Sequence, residues 1–127
     1  EVYVLQLGTD TLKEDYLSKF ELSNWGFLKA FDLVREVLGE GIYLGGGGYH
    51  PIALARAWSL IWCRMSNRDI PKGLTPLARE VLSSVDFEEL EEEDRSYMLD
   101  GLLDRPREGE IRSEVREIVE RAKAEFC

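Results

Sequence analysis

Cysteine is scarce in this chain: Cys63 lies in an apolar stretch and Cys127 at the end, and there are no others. Two such distant cysteines exclude a disulfide framework or a zinc knuckle, and with no secretory signal ahead of them the expected setting is a reducing cytoplasm. Long hydrophobic runs are missing too. The longest mainly apolar stretch, Ile52 to Met65, is interrupted by Arg56 and Arg64. It falls short of the roughly 20 apolar residues that a membrane-crossing helix needs, so no membrane partner is expected. Positive charge is in deficit, with 16 Lys and Arg against 25 Asp and Glu and a formal net charge of −9. The basic residues form no stripe, which argues against nucleic acid. The acidic run Glu88, Glu89, Glu91, Glu92, Glu93 and Asp94 lacks the alternating carboxylates and central glycine of a calcium loop, and reads as a solvated loop or a helix start. Beyond that run there is no low-complexity segment and no internal repeat.

What is present is the composition of one soluble globular unit: 127 residues, 44% hydrophobic and 32% charged. The chain opens on Val2-Tyr3-Val4-Leu5-Gln6-Leu7, a nearly continuous apolar run of the kind that forms strands buried on both faces of a parallel sheet. Starting inside a core strand, without an initiating methionine, is the expectation for a fragment. A loop from Gly8 to Leu22 follows, carrying Asp10 and Asp15. Ser23 or Asn24 then caps a helix whose Phe27, Leu28, Phe31, Val34 and Leu38 recur every three or four residues, and Gly39 and Gly41 stop it. Ile42-Tyr43-Leu44 is a second strand, broken at once by Gly45 to Gly48.

Pro51 begins a second helix with an apolar face of Leu54, Trp58, Ile61, Trp62 and Met65, whose two tryptophans are expected to pack against the sheet. Past Asn67 the pattern is helical, with Thr75-Pro76 capping a helix to Val85 and a last helix over Ile111 to Phe126; these read as packing and covering helices. The expected architecture is therefore α/β, with two parallel strands at about 2–7 and 41–45. Two such strands do not make a self-sufficient sheet, so more strands are expected from chain upstream of Glu1, and self-association through exposed sheet edges is a further expectation.

Ligands of open parallel sheets bind beyond the carboxyl ends of the strands. Those ends deliver Asp10 from the first strand, and the glycine run, Tyr49 and His50 from the second. Each has a plain structural use: Asp10 suits a turn, Tyr49 closes a loop, and His50 before Pro51 caps a helix. The glycine run lacks the Lys-Ser/Thr that completes a P-loop and the spacing of a dinucleotide fingerprint. Taken singly, the residues leave both readings open.

Their combination is more specific. Leu5-Gln6-Leu7-Gly8-Thr9-Asp10-Thr11-Leu12, the segment Asp15 to Ser23 (DYLSKFELS), and Leu44-Gly45-Gly46-Gly47-Gly48-Tyr49-His50-Pro51 followed by Leu54-Ala55-Arg56-Ala57-Trp58 resemble, in order and spacing, the carboxyl-terminal third of the histone deacetylase family. The likeness is strongest to its bacterial branch, with acetoin-utilisation-type proteins and histone-deacetylase-like proteins of thermophiles. It extends through Asp94-Arg95-Ser96-Tyr97-Met98-Leu99, and so over nearly the whole chain. Glu21, where many members have asparagine, is a departure that touches no assigned role.

The resemblance implies the carboxyl-terminal portion of a single arginase/deacetylase-type domain of three layers, with residues 1–66 as a βαβα active-site half and 67–127 as a helical tail. It implies zinc at the strand ends, held by two aspartates and a histidine, with Asp10 matching the second aspartate. Tyr49 matches the tyrosine that hydrogen-bonds the substrate carbonyl, Leu17 an apolar residue lining the acetyl-lysine tube, and Gly46, Gly47 and Gly48 part of its wall. The family's proton transfers use paired buried histidines, whereas this chain has only His50, at a position the family does not use for that purpose. The resemblance therefore implies a zinc-dependent amidohydrolase acting on an acetylated protein or small acetyl-amide, with the missing amino-terminal part of the same domain as a partner and this chain inactive alone. A noncatalytic binding or assembly module and an acetylpolyamine-type amidohydrolase are the alternatives.

Overall fold

A computed structural model describes residues 2–86, 92–105 and 109–126. Strands β1 (Val4–Leu7) and β2 (Ile42–Gly45) pair in parallel, with Leu5 opposite Tyr43 and Leu7 opposite Gly45. Helix α1 (Asn24–Leu38) makes the crossover and α2 (Pro51–Met65) follows β2, so the expected strand–helix–strand–helix order is present. Local chemistry sets the helix ends. The Ser23 hydroxyl accepts the Gly26 N–H at 3.2 Å, and Gly39, at φ +80°, supplies the left-handed turn that closes α1. His50 caps α2, its Nδ1 accepting the Ala53 N–H at 3.2 Å ahead of Pro51. Thr75 does the same for α3 (Pro76–Ser84), accepting the Ala78 N–H at 3.2 Å.

The core forms on one side of the sheet, where Leu7 meets Phe27, Leu28 and Phe31 of α1 and Ile52, Ala57, Leu60 and Ile61 of α2, all buried. Each such side chain removed from water contributes roughly 1.5–3 kcal/mol, which is what seats both helices on that face. The opposite sheet face differs from the expectation of a strand buried on both sides. Val4, Ile42 and Leu44 are about half exposed, at 59%, 51% and 49%, because nothing among the described residues packs over them. The register accounts for the alternation: Val4, Ile42 and Leu44 point one way, Leu5, Leu7 and Tyr43 the other. β1 also begins at Val4, two residues later than the sequence pattern suggests.

Two helix faces need correction. In α2 the buried stripe is Ile52, Ala53, Arg56, Ala57, Leu60 and Ile61, which rotates the face away from Trp62, now 62% exposed, while Trp58 is half-buried against the core. In α1, Leu38 is exposed beyond the end of the core. Arg56, which interrupts the apolar run in the sequence, is buried because it has partners. Its Nε donates to the Gly101 carbonyl at 3.0 Å and its Nη1 to Asp104 at 2.9 Å. Asp104 also accepts the Asn24 N–H at 2.7 Å, and Asn24 Nδ2 donates to the Leu102 carbonyl at 2.7 Å. This network pins residues 101–104 to the start of α1 and to α2.

Of the tail, α4 (Glu92–Met98) contributes fully buried Met98 to the core, and Leu82 and Val85 pack against it. Helix α5 (Ser113–Phe126) does not act as a covering helix: Val115, Ile118 and Val119 of its apolar stripe are all exposed. Within the acidic run, Glu92 opens α4; Glu88, Glu89 and Glu91 lie outside the described residues, as does Cys127. No helix among the described residues is long and apolar enough to cross a membrane.

Candidate functional site

The carboxyl ends of β1 and β2 lie side by side, Leu7 against Gly45, so the loops that follow them must share space. The first, from Gly8 to Leu22, is folded back on itself. The Lys13 N–H donates to the Leu22 carbonyl at 3.0 Å and the Leu22 N–H to the Thr11 carbonyl at 3.1 Å, with the Leu12 side chain buried beneath. The second is the glycine run. A 2.6 Å hydrogen bond from the Thr9 N–H to the Gly47 carbonyl joins the two.

That contact explains the glycines sterically. A Cβ on Gly46 would stand 2.9 Å from the Gly8 Cα, one on Gly47 2.1 Å from Asp10 Oδ2, and one on Gly48 2.1 Å from Thr9 Oγ1. Gly48 also has φ +147°, a conformation that side-chain-bearing residues rarely adopt. At Gly46 backbone lies on backbone, whereas at Gly47 and Gly48 the side chains of Asp10 and Thr9 fill the space a Cβ would take.

The Asp10 carboxylate is thereby held against Gly47, two residues before Tyr49. Asp10 is half-buried and its oxygens have no hydrogen-bond or ion-pair partner among the described residues. Tyr49 is 48% exposed and Leu17 62% exposed, and a single residue fixes the backbone of both. Asp15, only 3% exposed, accepts the Leu17 N–H through Oδ1 at 3.0 Å and the Tyr49 N–H through Oδ2 at 2.7 Å. The structure thus brings Asp10, Leu17, Gly47, Gly48 and Tyr49 to one end of the sheet. His50 is buried, with its cap of α2 as a structural role.

In the sequence Asp15 is a loop carboxylate with no assigned role. Half of its role was legible, since an aspartate accepting from the N–H two residues on is a familiar turn. Its bond to Tyr49 spans 34 positions and follows only from the strands being neighbours.

Among the described residues, no three His, Cys, Asp or Glu side chains form a metal cage. What the strand ends offer is the Asp10 carboxylate, without a competing cation among the described residues, a donor that suits one position on zinc. A separate cavity of about 360 Å³ between α2 and α3, lined by Arg56, Ser59, Ala78, Leu82 and Leu102 among others, contains none of the site residues.

Comparison with known proteins gives three concordant likenesses. The histone deacetylase domain family matches residues 1–65. Histone deacetylase 8 of Xenopus tropicalis is 34% identical over 70 residues, covering 55% of this chain and 19% of its own length, and a putative histone deacetylase 2 of Caenorhabditis elegans is 42% identical over 60 residues, or 47% of this chain and 12% of its own. Among solved structures, an HDAC homologue from Aquifex aeolicus is 65% identical with a TM-score of 0.84, and an HDAC homologue complexed with SAHA is 63% identical with a TM-score of 0.82. Both alignments cover 97% of this chain and 33% of the other, so the chain spans about a third of the length of these structures.

Proposed function

Because this chain belongs to the histone deacetylase family, we propose that it supplies one metal-binding carboxylate, Asp10, and the oxyanion donor, Tyr49, to a zinc-dependent deacetylase of acetyl-lysine or a similar acetyl-amide. The observation that carries this reading is the seating of the Asp10 carboxylate on Gly47, two residues from Tyr49, where two parallel strands end together. The donor set fits zinc in part, as one oxygen ligand whose companions come from residues outside these 127. Zinc bound there would act as a Lewis acid on the amide carbonyl and bring a bound water to a pKa of about 7.

The residues of this chain then have separable tasks. Asp10 holds one coordination position. The phenol O–H of Tyr49 is a hydrogen-bond donor, and it donates to the carbonyl oxygen as that oxygen gains negative charge. Leu17 presents an apolar surface to the methylene stem of the substrate, and Gly47 and Gly48, lacking side chains, form a wall close against Asp10 and Thr9. The half-exposed face of Val4, Ile42 and Leu44 supports the packing of the rest of the domain against this sheet.

The test is Tyr49→Phe in the zinc-loaded domain completed around this chain. The ring stays and the donor goes, so kcat should fall about 100- to 1,000-fold with KM little changed. Wild-type kcat in that variant would remove Tyr49 from the reaction. The 127-residue chain alone should hold zinc weakly and turn over no acetyl-lysine peptide; robust turnover by it would overturn the division of the site.

A further inference from the structure

Asp15 is a carboxylate at 3% exposure that takes two backbone N–H groups, one from its own loop and one from the glycine loop 34 residues later. Burying a carboxylate is unfavourable unless its oxygens are satisfied, and charge-assisted bonds to N–H groups are among the stronger ways to do so. The two groups it holds belong to Leu17 and Tyr49, whose side chains are both exposed at the strand ends.

The rest of the surroundings make Tyr49 depend on this bond. Gly48, just before it, is at φ +147° with Thr9 against its hydrogen, and Gly47 is tied to Thr9. His50, just after it, starts α2. Between these two fixed points, the Tyr49 N–H is anchored by Asp15 alone, at 2.7 Å. A shift of that anchor would swing the phenol, which has no hydrogen bond of its own among the described residues.

We propose that Asp15 is a positioning residue of the deacetylase site: its buried carboxylate sets Tyr49 and Leu17 relative to Asp10 by holding both backbones at once. This rests on the reading of Tyr49 as the oxyanion donor. The link is mechanical: Asp15 acts through the backbone N–H groups of Leu17 and Tyr49.

Asp15→Asn keeps one acceptor oxygen and loses the other, so one of the two anchors must go. In the completed, zinc-loaded domain kcat should fall about 10- to 100-fold, the range in which a misplacement of about 1 Å acts, with a smaller change in KM. A residue acting through Tyr49 has nothing left to position once the hydroxyl is gone. Adding Asp15→Asn to Tyr49→Phe should therefore lower kcat by less than about 3-fold, whereas a merely structural role gives equal losses in both backgrounds. Equal losses, or an Asp15→Asn kcat within about 2-fold of wild type while Tyr49→Phe is impaired, would overturn this proposal and leave the function of Tyr49 standing. Full activity in Tyr49→Phe removes both. Should Asp15→Asn fail to fold, hydrogen exchange in the unmutated domain decides: protected Tyr49 and Leu17 amides are expected, and exchange at unprotected rates refutes the anchor.

Discussion

Replacing Gly47 by alanine tests the site at its tightest contact. The new Cβ would stand 2.1 Å from Oδ2 of Asp10 and 2.8 Å from its Cγ, whereas ordinary contact begins at 3.4 Å. The carboxylate must therefore withdraw by 3.4 minus 2.1, or about 1.3 Å. No left-handed φ stands in the way at Gly47, so the backbone accepts alanine and the strain falls on the end of the Asp10 side chain, which must give way. Stability should change by less than about 1 kcal/mol. Zinc–oxygen bonds measure about 2.0–2.2 Å, so a displacement of that size takes Asp10 out of bonding range. Zinc affinity of the completed domain should drop at least 10- to 100-fold, read by competition with a chromophoric chelator, and kcat/KM by about 100-fold. Gly45→Ala is the matched control, since a Cβ there meets only the Trp58 ring at 3.9 Å. If Gly47→Ala binds zinc and deacetylates as well as Gly45→Ala does, Asp10 is not a ligand in this geometry.

Stability and pH give two more expectations away from the site. Arg56→Met removes the cation from a pair whose side chains are 2% and 9% exposed, leaving the Asp104 carboxylate with the Asn24 N–H as its one remaining donor among the described residues. The loss should be about 3–5 kcal/mol in denaturant unfolding, and less than about 1 kcal/mol would show that residues 101–104 are not anchored through this pair. At the other end of the sheet, hydrogen bonding to Tyr43, and secondarily burial, push the Tyr3 phenol up to about 12. The neutral phenol is the form the fold favours, so this contribution is complete below pH 10 and lost as pH rises through about 12. Stability should decline over that window and decline less in Tyr3→Phe; identical pH curves for the two would refute the linkage.

Much of the framework was legible because its causes are local. Ser23, His50-Pro51 and Thr75-Pro76 each act on N–H groups within a few residues, so their helix starts can be read directly from neighbouring letters. The two parallel strands follow from apolar runs separated by a helix-length amphipathic segment. Asp10, Leu17, Gly47, Gly48 and Tyr49 were singled out as a set, by strand-end position and family likeness, and the structure brings these five together; their chemical roles are what the substitutions above examine.

Other features had no local signature. Arg56 read as an interruption of an apolar run, and only Asp104, 48 positions on, makes it a core residue. Trp62 read as core and is exposed, because helical periodicity defines a stripe but not its bearing, which is set by the sheet and by α1. The glycine run could be recognised as unusual, yet its reason is a different loop pressing against it, through the Gly8 backbone at Gly46 and the Asp10 and Thr9 side chains at Gly47 and Gly48.

The sequence by itself determined where the helices begin, which segments extend, and which residues reach the strand ends, since those depend on hydrogen bonds and periodicity over a few positions. Tertiary structure alone decided that one buried carboxylate holds two loops, that a glycine lets Asp10 lie against the neighbouring loop, and which helix face turns inward. Such contacts arise between residues tens of positions apart, where the geometry of strand pairing, and no property of either residue alone, brings the partners within reach.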